Sequence, residues 1–158
     1  MKKLVIALLL VMTAFPASAQ TPTVMGQSVM GTWLTASKAA QIELAPCTDP
    51  ARGPVCGQVV KLLDPKDASG NPMAPEEVVD ARNTDLSMRG RKVLGMMMLY
   101  DFAKTGDPNS FESGTIYSGE NGKTYKANIG LQADGTLRLR GYVGVPMLGE
   151  TQIWTRVQ

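Results

Sequence analysis

The chain has 158 residues, 44% of them hydrophobic and 19% charged, with a formal net charge of +2 and no histidine. The missing histidine excludes Ser-His-Asp and Cys-His nucleophiles and every histidine-ligated zinc, copper or iron centre. A charge so near zero gives no electrostatic basis for binding nucleic acid or an anionic membrane.

The first 19 residues read as a cleavable export signal. Lys2 and Lys3 precede an apolar run, residues 4–12, that is too short to span a bilayer as a permanent helix. Small residues at 17–19 predict a cut between Ala19 and Gln20. Residues 20–158 are then the mature domain, periplasmic or secreted, with 14 basic residues against 14 acidic once Lys2 and Lys3 are removed. No later apolar run approaches membrane-spanning length. One domain with a real core is expected from a chain of this size.

In chain order, segments of β-type composition alternate with turn residues. Strands are expected at residues 30–35, 40–45 and 56–63. Cys47 and Cys56 flank the second of the two intervening connections. Two cysteines this close in an exported chain predict one disulfide stapling that loop, whereas a redox pair would use tighter spacing. Residues 64–92 form the longest connection, rich in Pro, Gly, Asp and Asn, and read as a lid or cap. A helical turn is expected near residues 76–80, after Pro75. Within this stretch, residues 64–71 carry oxygen ligands without EF-hand spacing and read as a plain turn.

A fourth strand is expected at residues 93–102, a fifth at 111–118 and a sixth at 124–131, the last two joined by a hairpin turn at Asn121-Gly122. Another turn at residues 133–135 leads to strands at 136–143 and 151–157. Leu137 and Leu139 alternate with Arg138 and Arg140, and Tyr125, Ala127 and Ile129 with Lys126 and Asn128. One apolar and one polar face, repeated in hairpin order, predict an all-β fold: a single eight-stranded antiparallel barrel with a long loop between its third and fourth strands. Arg138 and Arg140 are expected to point outward, with Tyr142 on their face.

Gly31-Thr32-Trp33 opens the first strand and Trp154-Thr155-Arg156 closes the last. This pairing resembles the structural signature of lipocalin-like barrels, in which the late arginine covers the indole and seals one end. On that basis Trp33, Trp154 and Arg156 are structural. A longer resemblance runs through GTWLT, VCGQVVKL, DARNTDLSMRGRKVLGMMML, GTIYSGENGKTYKANIGL, TLRLRGYVG and TQIWTR. These segments are similar, in order, to the domain of unknown function 2147 family, small exported bacterial proteins. That family tends to have tryptophan where this chain has Phe111, and prolines in place of Thr84 and Lys92. The resemblance implies a lipocalin-like (calycin-type) barrel and no established activity.

The candidate binding residues fall in three groups. Asp80, Asn83, Asp85 and Arg89, with Arg91 nearby, either form a polar site at the barrel mouth or tie the long loop to the barrel. Tyr117, Tyr125 and Tyr142 present hydroxyls on apolar bodies, suited to orienting a ligand or to filling the barrel, and Tyr100 is a further binding candidate. Met96, Met97 and Met98 split between the two faces of a strand and cannot converge on one metal. Met96 and Met98 suit an irregular core or a tolerant pocket. A strand apolar on both sides also implies a cover, either the long loop or a second copy of the chain, so a homodimer is among the expectations. No cofactor, metal or catalytic residue is expected. The reading favoured is a binding protein for a small apolar or amphipathic ligand. The alternative is an envelope interaction module with a filled core, contacted through the long loop.

Overall fold

The computed structural model describes residues 28–67 and 69–157. The expected signal, residues 1–19, and its cut between Ala19 and Gln20 lie outside the described residues. Nine β-strands and no α-helix are found among the described residues: β1 (Gly31–Leu34), β2 (Ala40–Ala45), β3 (Cys56–Leu62), β4 (Met97–Tyr100), β5 (Ala103–Lys104), β6 (Ser110–Ser118), β7 (Lys123–Leu131), β8 (Leu137–Tyr142) and β9 (Glu150–Arg156). They form one antiparallel sheet in the order β4-β3-β2-β1-β9-β8-β7-β6-β5, closed by pairing of β4 with β6. Along β6, Leu99 of β4 lies opposite Ile116 and Ala103 of β5 opposite Glu112. The two short strands thus run in line and fill one position, and the sheet is a closed eight-stranded barrel.

Two-residue periodicity fills the interior. Ile42 lies opposite Val59, Ile129 opposite Leu139 and Leu131 opposite Leu137; all but the half-buried Leu131 are buried. Burying each such side chain contributes on the order of 1.5–3 kcal/mol. Arg138 and Arg140 point outward as expected. Arg140 reaches over the rim to Pro146 O (2.5 Å), Met147 O (3.1 Å) and Thr151 Oγ1 (2.7 Å). Tyr142 shares the outward face of the two half-buried arginines but is itself buried, because the connection between β8 and β9 folds back against it.

The expected fourth strand, residues 93–102, needs correction. Gly95 (φ +84°) turns the chain and donates its N–H to Val59 O (2.8 Å), so the strand begins at Met97. It breaks again at Asp101 (φ +61°), facing an irregularity in β6 at Ser113 (φ +57°). Between them the Phe102 ring enters the core directly over Gly114, where a Cβ would collide with it. The break lets a large aromatic reach the interior, and the alternation expected through the methionine run does not survive it.

The disulfide pairs Cys47 with Cys56, as expected, and staples the connection from β2 to β3. Arg52 of that connection accepts the Asp101 N–H on its carbonyl (2.7 Å) and lays its guanidinium 4.9 Å from the centre of the Tyr100 ring. The long connection is built from tight turns, with a 3₁₀ turn at Pro75–Glu77 where Pro75 was expected to start one and another at Leu86–Met88. Asp67 accepts the N–H groups of Ser69 and Asn71, both at 2.8 Å, which makes its segment a plain turn. Strand direction places the connections 46–55, 105–109 and 132–136 at one end of the barrel, and 35–39, 63–96, 119–122 and 143–149 at the other.

Candidate functional site

The first end is sealed. Trp33 is fully buried and donates its indole N–H to Val29 O (2.8 Å). The Arg156 guanidinium stacks 4.2 Å from the Trp33 ring centre and donates to Met30 O (2.9 Å) and Ser28 O. Gly31 (φ +126°) leaves the space this needs, since a Cβ there would lie within 2.5 Å of Arg156 Nη1. Trp154, opposite Leu137, adds a second buried indole, whose N–H donates to Gln152 Oε1 (3.0 Å).

At the other end the long connection is clamped to the β6–β7 hairpin. Ile116 and Ser118 of β6 face the mouth of the barrel, so Tyr117 between them points outward. Its hydroxyl donates to Asp80 Oδ1 (2.6 Å). The other Asp80 oxygen accepts from Asn83 Nδ2 and Arg91 Nη2, both at 2.8 Å, and the Arg91 guanidinium lies 5.1 Å from the Tyr117 ring centre. Burial of Asp80, only 2% exposed, pushes its carboxyl upward. The hydrogen bonds from Tyr117, Asn83 and Arg91, with the Arg91 charge, outweigh that and leave the pKa below the ordinary carboxylate value. Burial and the adjacent Asp80 raise the Tyr117 phenol to about 12. The hairpin completes the clamp: Arg82 Nη1 donates to Glu120 O (2.8 Å), and Gly122 (φ +69°) packs so closely on Arg82 that a Cβ would fall on its carbonyl.

Beside this clamp the mouth opens into a cavity of about 340 Å³, within the range typical of small-molecule sites. Its floor comes from the barrel interior, where Ile116 and Leu139 are the apolar lining residues. Tyr125, Tyr142 and Gln152 line its walls, and Glu120 and Glu150 its rim. Val143, Leu148 and Gly149 bring the β8–β9 connection across one side. A second hollow of about 230 Å³ adjoins it, shares Tyr125, Tyr142 and Val143, and is lined also by Lys126.

The residues singled out from sequence are therefore distributed over several places. Tyr125 lines the cavity. Tyr117, Asp80 and Asn83 meet in the clamp outside the barrel wall. Arg91, rather than Arg89, reaches Asp80; Arg89 Nε instead donates to Asn83 O (2.9 Å). Asp85 caps the 3₁₀ turn, accepting from Ser87 N (2.9 Å) and Oγ (2.7 Å), which hold its carboxyl below the ordinary range. Tyr100 lies on the outer wall under Arg52. Met96 is buried ahead of β4, Met98 packs half-buried against the core, and Met97 is exposed. Neither Met96 nor Met98 is part of the cavity lining. Sequence reading reached Tyr125 and Tyr142 but not Glu120, Glu150 and Gln152, which line the same cavity. The two hairpins that bring them to one rim were legible; the sheet curvature that makes those rims adjacent was not.

The comparisons with known proteins agree with this architecture. Residues 31–156 match the family model described as "Uncharacterized protein conserved in bacteria (DUF2147)". No curated protein is significantly similar in sequence. Among solved structures the chain is similar to protein HP1028 from the human pathogen Helicobacter pylori, described as belonging to the lipocalin family. The TM-score is 0.67 at 20% identity, over 84% of this chain and 85% of that one. At that identity the likeness speaks for the fold alone, a lipocalin-like barrel. With the match running from the glycine under Arg156 to Arg156 itself, the chain belongs to the domain of unknown function 2147 family of bacterial proteins.

Proposed function

We propose that the protein is an exported carrier that holds a small amphipathic molecule in the cavity at the open end of its barrel. The observation that carries this is the cavity itself: an apolar floor of Ile116 and Leu139 beneath a rim of polar side chains, next to a sealed opposite end. Such a container takes an apolar body inward and leaves a polar group at the mouth. The Cys47–Cys56 disulfide supports export to an oxidising compartment.

Binding is favoured over catalysis. The chain has no histidine. Asp80 and Asp85 are held in internal hydrogen bonds. The cavity carboxylates Glu120 and Glu150 are exposed and lack the apolar enclosure that a carboxylic general acid requires.

The test is titration of the mature protein with N-phenyl-1-naphthylamine, a neutral apolar fluorophore, alongside native mass spectrometry of protein from its own host. Saturable enhancement, lost in Leu139→Trp, is the expected result. No enhancement and no co-purifying small molecule would refute the carrier.

A second reading, an envelope interaction module, draws on the long connection, where Leu86 is 71% exposed and Met88 is also exposed. Removing residues 84–90 should then abolish capture of a partner from envelope extract while N-phenyl-1-naphthylamine binding persists.

A further inference from the structure

We propose that the ligand held in this cavity is a small organic cation of the alkylammonium class; this rests on the cavity being the ligand site. Three features of the lining point the same way. The charged side chains that line it are Glu120 and Glu150, and none of its described lining residues is basic. Among the described residues, neither carboxylate has a hydrogen-bond or salt-bridge partner. The arginines nearest the rim are committed elsewhere. Arg140 is drawn outward onto Pro146 O, Met147 O and Thr151 Oγ1, and Arg82 is used on the Glu120 carbonyl. Among the described residues, no cation forms a salt bridge with either rim carboxylate.

The independent observation is Tyr125, on the inward face of β7 with Ala127 and Ile129. Its hydroxyl is tied back into the protein, accepting from Asn121 Nδ2 (2.8 Å). Anchored this way, Tyr125 lines the cavity as aromatic surface. Tyr142 turns its hydroxyl to Asn128 Oδ1 (3.3 Å) on the outer face of the sheet. Aromatic faces together with carboxylates are the chemistry by which proteins hold ammonium groups, which the rings attract through their quadrupole. Ile116 and Leu139 below suit the short alkyl portion of the same molecule. Lys126, opposite Tyr142 in the sheet, lines the adjoining hollow and is not part of this cavity's lining.

The experiment compares three probes with one tail and different heads: octyltrimethylammonium, octan-1-ol and octyl sulfate. Each is titrated into the full mature chain by calorimetry and by chemical-shift changes. The expected order is octyltrimethylammonium about tenfold or more tighter than octan-1-ol, from ring and carboxylate contacts together, with octyl sulfate weakest. Glu120→Gln with Glu150→Gln, both at exposed positions, should bring octyltrimethylammonium close to octan-1-ol. Tyr125→Leu should weaken octyltrimethylammonium more than octan-1-ol. Equal binding of the three probes, or preference for the sulfate, would overturn the cation assignment and leave the carrier reading intact. If no probe binds, both fail.

Discussion

Tyr117 donates its hydroxyl to Asp80 at 2.6 Å, joining the outer wall of β6 to a loop residue 37 positions earlier in the chain. This contact organises the open end, because Asp80 also receives Asn83 and Arg91 and is almost wholly buried. A buried carboxylate with a full set of donors is tolerated; one deprived of a donor is costly. Tyr117→Phe keeps the ring under Arg91 and removes only the hydroxyl. It should lower unfolding free energy by about 1–3 kcal/mol, the cost of leaving a buried acceptor short. Urea unfolding followed by circular dichroism measures it, and an unchanged midpoint would contradict the role given to this bond.

The same pair sets the pH range of the clamp. Asp80 has a folded pKa below its ordinary value of 3.8, so its contribution is complete above 3.8 and is lost as pH falls through the folded value. Tyr117 is raised from 10.0 to about 12, so its contribution is complete below pH 10 and is lost as pH rises toward 12. Stability should therefore decline on both sides of a broad plateau. Asp80→Asn should flatten the acid limb, and Tyr117→Phe the alkaline limb. Thermal midpoints measured from pH 2 to 12 test both.

At the sealed end, Arg156 and Gly31 form a coupled pair. Arg156→Ala removes the stack on Trp33 and the donors to Met30 O and Ser28 O, and should cost about 2–3 kcal/mol. Gly31→Ala meets both the guanidinium and a φ of +126° that an L side chain rarely adopts. In the double variant the clash disappears and the backbone strain remains. The two costs should then sum to less than their separate values, by about 0.5–3 kcal/mol, as for residues in contact. A double-mutant cycle by denaturant unfolding reads this, and strict additivity would show that the two positions do not interact.

Gly122 should be the most sensitive position of the hairpin. Its positive φ and its contact with the Arg82 carbonyl both disfavour a side chain. Gly122→Ala should push the long connection off the barrel before it unfolds the sheet. Amide exchange should then rise across residues 80–92 while β7 and β8 stay protected. Uniform loss of protection would show instead that clamp and barrel unfold as one unit.

Much of the architecture was legible from local chemistry. Alternation in residues 124–131 and 136–143 assigned Ala127, Ile129, Leu137 and Leu139 to the interior, because side-chain period in a strand is two and a closed barrel has one inside. The cysteine spacing identified a stapled loop between two strands. The run around Gly95 was misread as continuous strand because methionine and leucine do not distinguish a strand from a turn. The decisive events there, Gly95 at positive φ and Phe102 seated over Gly114, depend on residues distant in sequence.

What the sequence determined by itself was therefore periodic and local: the faces of the strands, the turns at Gly122 and Gly135, the disulfide loop. What only the tertiary structure decided was which polar residues meet. Asp80 lies next to Tyr117 and Arg91, and Glu120 shares a cavity with Glu150, because sheet closure brings separate connections to one rim. Twist, register and curvature add up around the whole sheet before they set those distances, and no segment contains that sum.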